Sequence, residues 1–256
     1  MTALVLDIET AADEELVGEL LAAGPPEPFE APANYKDPAK IAGYIADAEI
    51  RWRASVRDRA ALSPRTGRVI CVGWAWVDAS AQSGEVRAAA LAGPVEAELI
   101  KQISMLIEGG PDTPPRLLVT FNGLSFDAPF IRLRAARLGF TVPGLLRSQP
   151  RYRLEPHLDL RMLLTDHDPR APGRLTDWCA FLRTPRRPDL SIDHGAGIQA
   201  LADAGDWAAI ERLCCADVEA TADLYLACAP LLGRPTARPV TPEIDDDLAA
   251  DLAAEG

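Results

Sequence analysis

Apolar runs alternate with helical patterns along the chain. Residues 2–8 (TALVLDI) and 69–77 (VICVGWAWV) are rich in Val, Leu and Ile, which predicts two buried strands. Residues 85–91 (EVRAAAL) follow the second run closely and are predicted to be its hairpin partner. Residues 116–121 (RLLVTF) predict a further strand, and 157–160 (HLDL) predict a short one.

Four stretches carry helical spacing or the signals that start a helix. The first is residues 95–108, with Val95, Leu99, Ile103 and Leu106 on one face. The second begins at Asp127, and the third runs from a Thr176 cap to about Leu182. The fourth runs from about Asp206 to Leu231. Strands that alternate with helices indicate an α/β fold in which helices flank a mixed sheet.

A segment from about residue 23 to 67 interrupts this alternation. It opens with four prolines, and residues 38–62 then have the pattern of a charged helix. The segment is too long for an ordinary connection, so it is predicted to be a helical insertion after the first strand, in the position of a lid. We expect one domain over residues 1–233, followed by an acidic, disordered tail over residues 234–256.

Composition and net charge exclude few classes of function. The net charge is −12, and six acidic residues without a basic one lie after Pro239. The arginine runs are expected to be solvated surface (Arg132, Arg134 and Arg137; Arg147, Arg151 and Arg153; Arg186 and Arg187). The chain has five cysteines without metal-ligand spacing, no bilayer-spanning run and no signal peptide, which favours a soluble cytoplasmic protein.

Acidic residues follow two predicted strands and interrupt the apolar stripe of one predicted helix. Asp7 and Glu9 lie at alternate positions at the end of the first strand, so both side chains face one side of the sheet. Asp127 begins a helix just after another strand, a position that is equally typical of a helix cap. Asp217 falls within the apolar stripe of the last helix, where a buried carboxylate requires a metal or an arginine.

These three segments resemble the motifs of the DEDD (DnaQ-like) 3′→5′ exonuclease superfamily. DIET (7–10) resembles the first motif, NGLSFD (122–127) the second and LCCADVEAT (213–221) the third, in that order. The resemblance is closest to the proofreading domain of family B DNA polymerases and to related stand-alone, often phage-associated exonucleases. HLDL (157–160), LTDWCAFL (175–182) and NYKDPAKIAGYIADAE (34–49) also look like segments of those proteins.

The resemblance implies a ribonuclease-H-like fold and a two-metal mechanism. Asp7, Glu9, Asp127 and Asp217 would be the catalytic residues and the ligands of two divalent cations, Mg²⁺ or Mn²⁺. Asn122, Phe126 and Thr10 would contact the terminal nucleotide. The implied substrate is the 3′ end of single-stranded DNA, and no protein partner is indicated.

One position departs from the family pattern. Members carry a catalytic Tyr four residues before the last Asp, or a His five before it, whereas Leu213 and Arg212 stand here. His157, Tyr35, Tyr44 and Tyr152 are candidates for a substitute water-orienting group. Alternatives therefore stay open: a slow exonuclease, a module that binds nucleic acid or a partner without cutting it, or an oligoribonucleotide-degrading enzyme.

Overall fold

The computed structural model describes residues 2–78, 86–109, 115–150, 152–168, 170–185, 187 and 195–234. Its strands are β1 (Thr2–Ala12), β2 (Gly67–Asp78), β3 (Ala89–Ala92), β4 (Leu117–Thr120) and β5 (His157–Asp159). Its helices are α1 (Glu14–Ala23), α2 (Pro38–Asp58), α3 (Glu96–Gly109), α4 (Asp127–Arg137), α5 (Leu160–Leu164), α6 (Leu175–Phe181), α7 (Gly195–Ala204) and α8 (Trp207–Ala227). The predicted strands and helices are all present, which confirms the α/β class.

The five strands form one mixed sheet with the order β3-β2-β1-β4-β5. β1 lies at its centre, antiparallel to β2 and parallel to β4, and β4 is parallel to β5. The predicted hairpin of β2 and β3 is confirmed by their antiparallel pairing. The pairing of β1 with β2 shifts register between Glu9 and Thr10, a bulge that changes the direction of side chains at this end of the strand.

The alternation of side chains along β1 divides the core between the two faces of the sheet. Leu4, Leu6 and Ile8 pack with α3 and α4 on one face. Ala3 and Val5 pack with α8 on the other face. Asp7 and Glu9 continue the second series, so the chain directs both carboxylates towards α8.

The long helix α8 also protects the outer edge of the sheet. The Glu211 carboxylate accepts a hydrogen bond from the Ala92 backbone N–H at 3.0 Å, and Glu219 accepts one from the Ala88 N–H at 3.3 Å. Glu219 in addition pairs with Arg187 at 2.9 Å. These contacts occupy backbone groups that would otherwise be available for pairing with another strand.

The insertion consists of two helices and directly follows β1. Asp13 caps α1 by accepting a hydrogen bond from the Leu16 N–H, and the chain returns through a 3₁₀ turn at Ala60–Leu62. We call residues 14–62 the arm. The helix predicted at 38–62 is confirmed as α2 with this 3₁₀ turn, but the patterns do not predict α1, whose ten residues precede the expected insertion.

Several local predictions require correction. Thr176 lies inside α6 and not at its cap, because the Asp177 carboxylate accepts the hydrogen bond of the Arg174 N–H and starts the helix there. Val95 precedes α3 and is 49% exposed, so it does not belong to the apolar face. Helix α7, which packs beside β1, was not predicted.

One arginine of the predicted surface runs is internal. Arg134 on α4 is only 3% exposed, and its guanidinium donates to the Glu96 and Asp13 carboxylates. Glu96 also accepts a hydrogen bond from the Val69 N–H at 2.8 Å. The group links α4, α3, β2 and the start of the arm, so the prediction of a solvated arginine is wrong here.

The last described residue packs on α8. Arg234 packs on Tyr225 of α8, and the rest of the predicted tail, residues 235–256, lies outside the described residues.

Across the part of the chain that the structure describes, every helix is too short or too polar to cross a lipid bilayer.

Candidate active site

The first two predicted site residues lie at alternate positions within β1, which continues to Ala12 and does not end at them as the sequence pattern predicts. Asp7 is half-buried and Glu9 is 9% exposed, and both face the side of the sheet that α8 covers. Cys71 of β2 lies opposite Glu9 in the register of the two strands. The pairing of β1 with β2 shifts register after Glu9 and continues to Ala12, so the two carboxylates lie just before a bulge.

Asp127 is brought to β1 by the start of α4. Its side chain is 3% exposed, and its Oδ1 accepts a hydrogen bond from the Ile8 backbone N–H at 3.2 Å. Because Ile8 lies between Asp7 and Glu9, this bond holds the third carboxyl group directly beside the first two.

Asp217 reaches the site because α8 packs very closely on β2. A side-chain carbon on Gly73 would lie 2.7 Å from Cys214 Sγ and 2.9 Å from Val218 Cγ2, so only glycine permits this approach. Gly73 is the register partner of Asp7. The predicted stripe of α8 is confirmed, since all five of its members are buried (Ile210, Cys214, Thr221, Leu224 and Cys228).

Burial and mutual repulsion raise the pKa of all four carboxyl groups. Burial is the larger cause at Asp7 and the charge of Asp217 the next, partly offset by the hydrogen bond from the Ile8 N–H. Burial also raises the pKa of Glu9 and Asp127, and Asp7 raises both further. At Asp217, burial and then Asp127 raise the pKa to about 7. The four groups therefore act on one another as a single cluster of like charge.

The cluster has the chemistry of a site for divalent cations. Carboxylate oxygens are the preferred ligands of Mg²⁺ and Mn²⁺, and positive charge would offset the repulsion that raises these pKa values. Asp7, Glu9 and Cys214 have ligand atoms within 4.8 Å of one another. The thiol of Cys214 was not predicted to lie here, and its Sγ is 4.0 Å from the Asp7 carbonyl oxygen.

A second residue that sequence reasoning missed is Asp159, at the end of β5. It is 2% exposed, and its carboxylate accepts hydrogen bonds from the backbone N–H groups of Asn122 and Leu124 at 3.0 and 2.9 Å. It thereby fixes the loop that leads into Asp127. The available signal was an acidic residue at the end of a predicted strand, the same signal that Asp7 gives.

The loop itself has two special backbone positions. Asn122 adopts a left-handed conformation (φ 67°), which asparagine tolerates better than most residues. Gly123 lies against Thr120, whose Oγ1 would be 2.3 Å from any added side-chain carbon. The Phe126 ring is half-buried and packs on Phe130, with ring centroids 5.5 Å apart.

The other predicted site residues have diverse surroundings. The Thr10 hydroxyl donates to the Ala61 carbonyl oxygen at 2.7 Å, which ties β1 to the arm. His157 is 1% exposed, its Nε2 lies 2.8 Å from Thr120 Oγ1, and burial lowers its pKa to about 4. Its Nδ1 is buried and has no hydrogen-bond partner among the described residues, and a water-orienting role stays a prediction.

The remaining candidates for a water-orienting group are also placed. Leu213 is half-buried against the cluster that contains Ile198 and Ile210. Tyr35 and Tyr44 contact each other in the arm, and Tyr152 is 71% exposed beside His167.

Comparisons with known proteins bear on the family and the fold of the chain. Residues 62–250 match the family described as "Predicted 3'-5' exonuclease related to the exonuclease domain of PolB". The fold is similar to the family B DNA polymerase from the hyperthermophilic archaeon Pyrobaculum calidifontis, with a TM-score of 0.56 and 14% identity. That similarity covers 93% of this chain and 26% of the polymerase, so the chain spans about a quarter of its length. No curated protein matches the chain.

Proposed function

Because the chain belongs to the family of predicted 3′-5′ exonucleases related to the exonuclease domain of PolB, we propose that it removes nucleotides from the 3′ ends of single-stranded DNA. The observation that carries this proposal is the convergence of Asp7, Glu9, Asp127 and Asp217. They come from β1, α4 and α8, and each of the four has its pKa raised by burial and by another carboxylate.

In this proposal the carboxylates hold two divalent cations. Bound there, the cations would lower the pKa of an attacking water and stabilise the departing 3′-oxygen. The charge of Asp7 raises the pKa of both Glu9 and Asp127, so Asp7 would suit a ligand shared by both ions. Glu9 and Asp217 would be ligands of one ion, and Asp127 would act on the other.

The end of the substrate would lie against the loop before α4. Phe126 immediately precedes Asp127, and Asp159 fixes the loop that begins at Asn122 through two backbone hydrogen bonds. Thr10, the third residue proposed to contact the terminal nucleotide, already donates to the arm, so substrate contacts there would come from its backbone or methyl group.

The test is degradation of a strand that carries its label at the 5′ end, with Mg²⁺, Mn²⁺ or EDTA. We expect a ladder that shortens from the 3′ end, requires the cation and is lost in Asp7→Asn. Intact strands at every cation concentration would contradict the proposal. Parallel RNA strands decide between DNA exonuclease and oligoribonucleotide-degrading activity.

A second candidate function rests on Leu213. In place of the family's tyrosine it contributes an apolar side chain to the cluster with Ile198 and Ile210, which is compatible with a fold that binds strands without cutting them. Strand binding by anisotropy together with an absence of cleavage, in both Mg²⁺ and Mn²⁺, would favour this candidate.

A further inference from the structure

The arm extends well beyond the helix that supports it. Val17 and Leu21 of α1 pack in one cluster with Trp52 and Val56 of α2, so the two helices run antiparallel. The ion pair between Glu14 and Arg57, at 3.7 Å, places the start of α1 beside the last turn of α2. α1 has 10 residues and α2 has 21, so they span about 15 and 30 Å. The first half of α2 therefore projects past the end of α1.

An aromatic cleft lies at this projecting end. The rings of Tyr35 and Tyr44 meet edge to face with centroids 5.9 Å apart. Together with Lys36 and Lys40 they line an open cleft of about 790 Å³. None of the 21 residues of α2 is buried, and Tyr35 is 38% exposed, so part of the aromatic surface is accessible to solvent.

The arm as a whole has nine acidic and six basic residues, but the part formed by α2 and the residues just before it is locally basic. The whole chain has a net charge of −12, whereas residues 34–59 contain six basic and four acidic residues, a net charge of +2. The chain has only three lysines, and two of them line this cleft. Asp37 and Asp47 line it too, but the Asp37 carboxylate is engaged in capping α2 through the Ala39 N–H at 2.9 Å.

Positive charge also continues from the cleft towards the active site. Arg51, Arg57 and Arg59 are exposed along the second half of α2, which ends at the 3₁₀ turn. There the Ala61 carbonyl oxygen accepts the hydrogen bond from Thr10, the residue that follows Glu9. The arm thus connects an aromatic and basic surface with the strand that carries two of the four carboxylates.

We propose that the arm binds the single strand upstream of its 3′ end, with bases on Tyr35 and Tyr44 and phosphates on Lys36 and Lys40. This inference rests on the proposed function. Aromatic rings interleaved with basic groups are the arrangement that binds single strands without sequence preference, because every base can stack and every nucleotide carries a phosphate.

Binding of a fluorescent strand of about 16 nucleotides to the full chain in EDTA tests the aromatic contacts. Tyr35→Ala/Tyr44→Ala should raise the Kd about tenfold or more, since stacked bases contribute strongly to such binding. The matched control Tyr35→Phe/Tyr44→Phe keeps both rings and should bind as the wild type does. Melting temperatures establish that the variants are folded.

Salt dependence tests the lysines. Lys36→Gln/Lys40→Gln should reduce the slope of log K against log salt by about 1.4, because each phosphate contact on a single strand contributes about 0.7. The matched control is Lys101→Gln, which removes the third lysine, on α3, and should leave the slope unchanged.

Hydrolysis of a small substrate distinguishes an effect on strand binding by the arm from an effect on the active site. The nitrophenyl ester of a mononucleotide occupies only the carboxylate site, so the double lysine variant should hydrolyse it at the wild-type rate. Equal binding of the long strand by the wild type and Tyr35→Ala/Tyr44→Ala would overturn the inference, whatever the ester shows. Loss of ester hydrolysis in Tyr35→Phe/Tyr44→Phe would also overturn it, because the hydroxyls would then act in catalysis. A wild type inert on ester and strand but sensitive to the arm variants in binding would overturn the proposed function alone.

Discussion

Helix α4 contributes one residue to each of two buried groups of charged side chains. One group contains only carboxylates, and the other pairs an arginine with two carboxylates. At its start, Asp127 joins Asp7, Glu9 and Asp217, and the charges of these carboxylates raise one another's pKa. Two turns later, Arg134 meets Glu96 and Asp13, and each buried charge has an opposite partner. Both groups include side chains less than 10% exposed, so burial alone does not distinguish them.

The difference lies in how the charge is balanced. A buried ion pair is complete within the protein and serves to hold elements together. Buried groups of like charge destabilise the fold and are maintained where a ligand of opposite charge binds. We therefore expect substitutions in the two groups to have opposite effects on stability and different effects on activity.

The largest effect is expected at the carboxylate end. Asp7→Asn removes one negative charge with little change in volume, so activity should fall on the order of 10³-fold, as expected when a catalytic cation is lost. Without added metal at pH 8 the variant should melt at a higher temperature than the wild type, because the repulsion is relieved. Strand degradation and thermal melts on the same samples measure both. A loss of stability in this variant would show that the Asp7 carboxylate stabilises the fold, which would contradict the prediction.

At the other end of α4 the expected effect is on stability. Arg134→Met leaves Glu96 and Asp13 buried without their cation, so the free energy of unfolding should fall by about 3–5 kcal/mol. The control Arg137→Met lies on the same helix but is exposed, and it should change stability by less than about 0.5 kcal/mol. Denaturant melts of both variants provide the measurement, and equal losses would refute the distinction.

Sequence reasoning singled out all four members of the carboxylate group but assigned Arg134 wrongly. The four carboxylates follow strands or interrupt an apolar stripe, which are local patterns that one sequence displays. Arg134 was assigned to the surface because its partners lie 38 and 121 residues away. Asp159 and Cys214 were missed for the same reason, since their roles depend on contacts with a distant loop and with β1.

A smaller effect is expected where α8 meets β2. Gly73→Ala brings a methyl group against Cys214 Sγ and Val218 Cγ2, so it should cost about 1–3 kcal/mol and displace Asp217. Adding Cys214→Ala frees space and should restore part of both stability and affinity for Mn²⁺. Melts and metal titrations of the single and double variants provide the test. Stability that recovers while metal affinity does not would separate this packing contact from the site.

The smallest effect is expected at Leu213. A positioned acid–base group contributes about 10²–10⁴-fold, so its absence leaves a slow enzyme when the metals are bound. Leu213→Tyr should raise the rate with Mg²⁺ several-fold, and the wild type should prefer Mn²⁺. Leu213→Phe is the matched control, since it adds the ring without the hydroxyl. A fast wild type that Leu213→Tyr slows would show that another group orients the water.

Melting temperature as a function of pH, in EDTA and in Mn²⁺, tests the central claim that the carboxylate cluster is a cation site. Because folding raises the pKa of these carboxyl groups, the folded protein binds more protons than the unfolded chain. In EDTA, stability should therefore fall as pH rises from about 4 to the Asp217 pKa of about 7. Millimolar Mn²⁺ should raise the melting temperature far more at pH 8 than at pH 5, and Asp7→Asn should lose most of that increase. Identical profiles in EDTA and Mn²⁺ would contradict the account.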